Sequence, residues 1–166
     1  MDSSLPWLTG FAPIHSAQIT HLILGSFPSE TSLARQQYYG HAQNQFWRLM
    51  GAILDEPLSA MDYQARTETL LAHQVGVWDV YSGCERSGSL DSAIRQGQLN
   101  PLSMLFERSA HLRYVAFNGK AAAKAGQGHI PAHIQTQILP SSSPAYTLSF
   151  DKKLQQWQAF FDLQHG

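Results

Sequence analysis

The chain has 166 residues, 43% of them hydrophobic and only 14% charged, with a formal net charge of -1. That length and apolar content suit one compact domain spanning 1–166 and exclude a disordered chain, and no apolar run approaches the roughly 18 residues of a membrane span. Cys84 is the only cysteine, which excludes internal disulfides and a cysteine-ligated iron–sulfur cluster. His129 and His133 flank Pro131, which argues against the helix that would put both rings on one face, so no metal is expected. Asp2 and the Pro/Trp-bearing start do not fit a secretory leader, and a cytoplasmic protein without membrane attachment is the expectation.

The run Ile19-Thr20-His21-Leu22-Ile23-Leu24, ended by Gly25, Ser26 and Pro28, reads as a buried strand entering a loop. Phe46, Leu49, Met50 and Ile53 then recur at helical spacing, predicting an amphipathic helix from about Asn44, and a second helix is expected from Met61 to His73. Val75 to Val80 is the next strand. Asn100 and Pro101 supply a cap and a first-turn proline for a helix carrying Leu102, Leu105 and Phe106. Arg113 to Phe117 is a third strand, turning through Asn118-Gly119-Lys120 into an alanine-rich helix that stops near Gly126, and Ile134 to Leu139 is a fourth. After a Ser/Pro loop, Leu154, Trp157, Phe160 and Phe161 mark the apolar side of a closing helix. Strands alternating with helices predict an α/β fold, a three-layer α/β/α sandwich around a mostly parallel four-stranded sheet.

Ligands of such sheets bind beyond the carboxyl ends of the strands. Three loops should gather there: Gly25 to Ser29 with its extension to Trp47, Asn118 to Lys120, and Pro140 to Pro144. Their Gly, Ser, Pro and Asn residues free backbone N–H groups to face an anion and allow close approach. Charge is unevenly spread, since residues 1–107 hold five Lys/Arg against ten Asp/Glu whereas Arg108 onward holds six against two. The second half could therefore face phosphates, an ordinary solvated surface being the equal alternative.

GSFPS at 25–29, followed by YYGHAQNQFW at 38–47, resembles the first motif of the uracil-DNA glycosylase superfamily, in particular its hypoxanthine-DNA glycosylase family. LPSSSPAY at 139–146 resembles the second motif, the loop that grips the DNA backbone beside the flipped base. GVWDVYSGCERSGSLDSAIR at 76–95 and FNGKAA at 117–122 are also similar to that family, and the set is specific where any one match is weak. Better-known members carry Asp or Asn just before the first motif's proline to handle the attacking water, where this chain has Phe27. The hypoxanthine branch likewise lacks it, and the resemblance passes that role to Asn44. Ala42 stands where a proline is common, and Ser29 where a glycine is common.

What the resemblance implies is a cofactor-free glycosylase that flips hypoxanthine out of double-stranded DNA and hydrolyses its N-glycosidic bond, leaving an abasic site; for a DNA scanner of this size a monomer is the expectation. Asn44 would orient water or bind the base, with Asn118 as a second catalytic residue donating to the purine's carbonyl or holding its edge. Gly25, Ser26 and Phe27 would lie against the base, and Tyr39 and Phe46 would sandwich it. His41, Lys120, Ser141, Ser142 and Ser143 would contact the DNA backbone, while Tyr146 or Leu148 would wedge into the gap left by the extruded base. The alternatives are a uracil or mismatch glycosylase of the same fold, a non-catalytic DNA-binding relative, and a hydrolase of free nucleosides.

Overall fold

The computed structural model describes residues 5–163, so Asp2 and the leader expectation built on it lie outside the described residues. In chain order the elements are strands β1 (Trp7–Thr9) and β2 (His21–Gly25), helices α1 (Glu30–Arg35), α2 (Phe46–Leu54) and α3 (Tyr63–Ala72), strands β3 (Val75–Asp79), β4 (Tyr81–Glu85) and β5 (Arg95–Leu99), helix α4 (Leu102–Glu107), strand β6 (Tyr114–Asn118), helix α5 (Lys120–Gly126), strand β7 (Gln135–Leu139) and helix α6 (Phe150–Phe161).

The predicted sheet is present, with strands in the order β3-β2-β6-β7, all parallel. Strands β3 and β6 are buried along their whole length and β2 along all but its first residue. That is why they read as continuous apolar runs rather than alternating ones. Helix α3 packs on β3, α5 on β6 and β7, and α6 on β7 and α2. Phe46, Leu49 and Met50 of α2 face the core, as their spacing predicts, and Trp157 and Phe160 do so on α6. Among the described residues no helix is long and apolar enough to cross a membrane.

The sequence gives no warning of a second sheet, the antiparallel set β1-β4-β5. Strand β5 is exposed throughout, so it carries no buried face for hydrophobic patterning to reveal. Its position matters for the site, because the chain passes from β3 into β4 beside the end of β2: Val80 N donates to Gly25 O at 2.8 Å and Tyr81 N to Ser26 O at 3.1 Å. The loop after β2 is thereby pinned to the start of the second sheet.

Two further expectations need correction. Pro101, not Asn100, is the capping position of α4, and the Asn100 side chain instead donates to the Asp79 carbonyl at 2.7 Å. Nor do the basic residues of the second half share one face. Arg113 precedes β6, at the end of the sheet opposite Asn118, and Lys153 is buried.

Candidate active site

Parallel register sets the strand ends side by side, Gly25 against Asp79 and Asn118 against Leu139. The loops beyond them enclose a cavity of about 530 Å³. Gly25 to Ser29, Tyr39, His41, Asn44, Asp79, Ser89 to Ser92, Asn118 and Ser141 to Tyr146 line it. The three predicted loops do converge, and a fourth, between β4 and β5, joins them.

Asn118 lies at the centre of the bracing. Its Nδ2 donates to the Tyr39 hydroxyl at 3.2 Å and to Ser142 Oγ at 2.9 Å, and its Oδ1 accepts from Ser142 N at 2.9 Å. Both amide hydrogens are thus in use, so holding a base edge would require exchanging one of these bonds. Gly119 follows with φ at +99°, and a Cβ there would meet Ser141 Cβ at 3.3 Å. The turn into α5 therefore needs glycine for its backbone conformation as well as for space.

Asn44 faces the same cavity from the loop before α2. Its Oδ1 accepts from Phe46 N at 2.9 Å, and the adjoining Gln45 N donates to Ser142 O at 2.9 Å, so the loop carrying Asn44 is tied directly to the serine loop. Tyr39 adopts φ of +53°, a left-handed conformation that strains a bulky residue by roughly 1–3 kcal/mol. Asn118 and a ring behind Tyr39 hold it there. That ring is Phe46, which is fully buried, does not line the cavity and stacks on Tyr39 with centroids 4.1 Å apart and planes at 19°. A base between the two would need roughly 7 Å, twice a stacking contact. Phe46 is a backing for Tyr39 rather than half of a sandwich.

The serine loop also differs from expectation. Ser142 is 1% exposed, with its N–H and hydroxyl both engaged by Asn118. Ser141 and Ser143 line the cavity while accepting from Ser143 N and Ala145 N, each at 3.1 Å, bonds that set the loop's shape. Ser142 is thereby tied into the bracing of the loop, while its neighbours Ser141 and Ser143 keep more exposed side chains on the cavity. Lys153 reaches the loop from α6, its Nζ donating to Ser143 O at 3.2 Å and lying 5.5 Å from the Tyr146 ring centre. Tyr146 stands 47% exposed on the cavity wall. His41 is exposed at the rim, its Nδ1 accepting from Gln43 N at 3.1 Å. Leu148 and Lys120 do not line the cavity, Lys120 being exposed at the first turn of α5.

Sequence reasoning missed two carboxylates. Asp79 ends β3 on the cavity wall, 4% exposed, with Oδ2 buried and without a hydrogen-bond partner among the described residues. Burial, followed by the neighbouring Asp91, pushes its carboxyl up to about 7, against a pull downward from Arg86. Asp91 is raised too, by burial, with the Ser26 hydroxyl and Arg86 opposing. Burial drives the Tyr39 hydroxyl far above the ordinary phenol range, with Asp79 adding to it and the bond from Asn118 working against it. Arg86 ties the fourth loop to the first, donating to Pro28 O at 2.6 Å and Gly88 O at 2.8 Å with its guanidinium 5.2 Å from the Phe27 ring centre. Phe27 is 8% exposed and forms part of this support. A carboxylate closing an otherwise apolar buried strand, Val-Gly-Val-Trp-Asp, was the available signal. Among the described residues no group of three or more His, Cys, Asp or Glu could hold a metal ion.

Fold and cavity together define an open-sheet α/β protein whose ligand site lies at the carboxyl ends of its strands. Residues 12–164 match the Uracil DNA glycosylase superfamily. Relatives include a Hypoxanthine DNA glycosylase of Methanosarcina barkeri, 37% identical over 152 residues, and another of Methanosarcina acetivorans, 38% identical over 157, each covering 92% of this chain and 96% of its own length. A solution NMR structure from Methanosarcina acetivorans, carrying a provisional uracil DNA glycosylase assignment, superposes with a TM-score of 0.85 at 36% identity, over 94% of this chain and 97% of that one. The chain belongs to the uracil DNA glycosylase superfamily.

Proposed function

We propose that this protein is a monomeric DNA glycosylase that swings hypoxanthine out of a deoxyinosine-containing duplex and hydrolyses its bond to the sugar, leaving an abasic site. The observation that carries the proposal is the convergence of Asn44, Tyr39 and the serine loop on one cavity, tied together by the Gln45 to Ser142 bond. The relatives described as hypoxanthine DNA glycosylases, similar over nearly their whole length, support the choice of base.

Extrusion costs roughly a few kcal/mol, least for an already mispaired base. Tyr39, backed by Phe46, offers its other face to the purine, and such stacking is worth on the order of 1–3 kcal/mol per base. Cleavage passes through an oxocarbenium-like sugar. Asn44 positions the attacking water: its Oδ1 keeps a second lone pair beyond the bond to Phe46 N, and its Nδ2 hydrogens remain for the base or the water. Ser141, Ser143 and His41 meet the flanking phosphates, and Tyr146 fills the vacated stack. No described lysine lines the cavity, so the reaction is simple hydrolysis without a Schiff base.

The test is strand cleavage by alkali after incubation with duplexes carrying one deoxyinosine, deoxyxanthosine or deoxyuridine. Breaks confined to the uracil duplex would overturn the choice of base. Asn44→Ala should lower the rate on deoxyinosine about 10²–10³-fold with abasic-DNA binding retained, and equal rates would remove Asn44 from the mechanism. Borohydride should trap no covalent complex.

A further inference from the structure

Asp79 has no part in the mechanism above. Its Oδ1 would lie 2.6 Å from a Cβ placed on Gly25, and the Tyr39 hydroxyl 2.9 Å from the same point, so carboxyl and phenol close together over that glycine inside the cavity. Buried carboxylates are normally kept ionised by several N–H donors, but Oδ2 of Asp79 receives none from the described residues. The groups that face it electrostatically are Asp91 from the fourth loop, Arg86 beyond β4, and the phenols of Tyr38, Tyr39 and Tyr63. Only Arg86 favours the anion. A buried carboxyl in such surroundings keeps its proton and can use it as a donor, as neutral carboxylic acids do in other apolar sites.

We propose that Asp79 is the general acid of the reaction, delivering its proton to N7 of the departing purine; this rests on the deoxyinosine activity proposed above. As the N9–C1′ bond breaks, its electron pair stays with the purine, and the proton from Asp79 bonds to N7, so hypoxanthine leaves as a neutral molecule instead of an anion. The water oxygen bonds to C1′ and its displaced proton returns to the Asp79 carboxylate. One water is consumed, one abasic sugar and one neutral base are formed, and nothing is oxidised or reduced. Uracil has no imidazole nitrogen to receive the proton, so the same carboxyl favours purine lesions. The raised carboxyl, near 7, leaves much of the acid form present at neutral pH.

Single-turnover rates are measured for the parent protein and Asp79→Asn between pH 5.5 and 9, on duplexes carrying deoxyinosine or its 7-deaza analogue, which lacks the N7 acceptor. The parent's rate on deoxyinosine should fall about tenfold per pH unit above about 7, the limb set by Asp79. Asp79→Asn should be about 10²–10⁴-fold slower and lose that limb, and on the 7-deaza duplex it should be no slower than the parent. A parent rate that is flat or rises through this range would overturn the assignment, the rise marking Asp79 as a base. An Asp79→Asn loss of equal size on both duplexes would also overturn it. Should Asp79→Asn fail to fold, the parent's two profiles decide alone. Parent turnover of deoxyinosine without these signatures removes only Asp79, whereas no turnover of deoxyinosine at all removes the substrate and the acid together.

Discussion

Replacing Asn118 with alanine tests whether its amide braces the site or reads the base. The substitution removes three bonds, at 3.2, 2.9 and 2.9 Å, from a position only 7% exposed. The Ser142 and Tyr39 hydroxyls can turn to other partners, but Ser142 N–H is left buried with no acceptor, which costs about 1–3 kcal/mol. With the lost packing, the total should be on the order of 2–4 kcal/mol, a fall in Tm of roughly 6–12 °C for a chain of this size. Urea unfolding gives the stability, and amide exchange at Ser142 should quicken more than at the buried strand β2. Asn118→Asp at pH 5 keeps the acceptor for Ser142 N and should lose less. Stability within about 0.5 kcal/mol of the parent, with Ser142 equally protected, would refute the bracing role.

Gly25→Ala should abolish activity and cost about 1–3 kcal/mol of stability, because its Cβ would press within 2.6 Å of Asp79 Oδ1 and 2.9 Å of the Tyr39 hydroxyl, both enclosed and held by neighbours; single-turnover assay and thermal melts check both halves. The Asp79 carboxyl, held near 7 in the folded chain against about 4 when unfolded, binds its proton more tightly in the native state. It therefore costs no stability below pH 4, progressively more up to pH 7, and a constant amount above. Asp79→Asn removes that cost, so its stability relative to the parent should improve by about 2–3 kcal/mol between pH 5 and pH 8 in parallel urea titrations. Phe46→Ala should cost about 3–5 kcal/mol by opening a cavity behind Tyr39, whereas Phe46→Leu should keep most of the stability and still slow the reaction as Tyr39 loses its stacked support.

Much of the fold was legible because its central strands and packed helices bury whole runs or stripes of side chains. Strands β2, β3 and β6 announce themselves as unbroken apolar segments, and α2 and α6 by helical periodicity. The antiparallel sheet was hidden for the converse reason: β5 buries nothing, and β1 is only three residues long and paired to β4 through its backbone. Within the site, Asn44, Tyr39 and the serines were found by resemblance to a family, and their gathering on one cavity agrees with that expectation. Which of them touch solvent was not legible, so Phe46 and Ser142 passed for contact residues although both are enclosed.

The sequence by itself determined that the strand ends would carry polar, glycine-bearing loops, since hydrophobic burial along the strands leaves nowhere else for them. Only the tertiary structure decided what those loops do to one another. Parallel register sets Gly25 beside Asp79, and the pairing of residues 80 and 81 with 25 and 26 leads the chain on to Asp91 on the same cavity wall, with Arg86 buried against the loop after β2. A carboxyl 54 positions from Gly25 in the chain becomes its neighbour, and its proton is kept by burial, a property of the packed surroundings that no local pattern encodes.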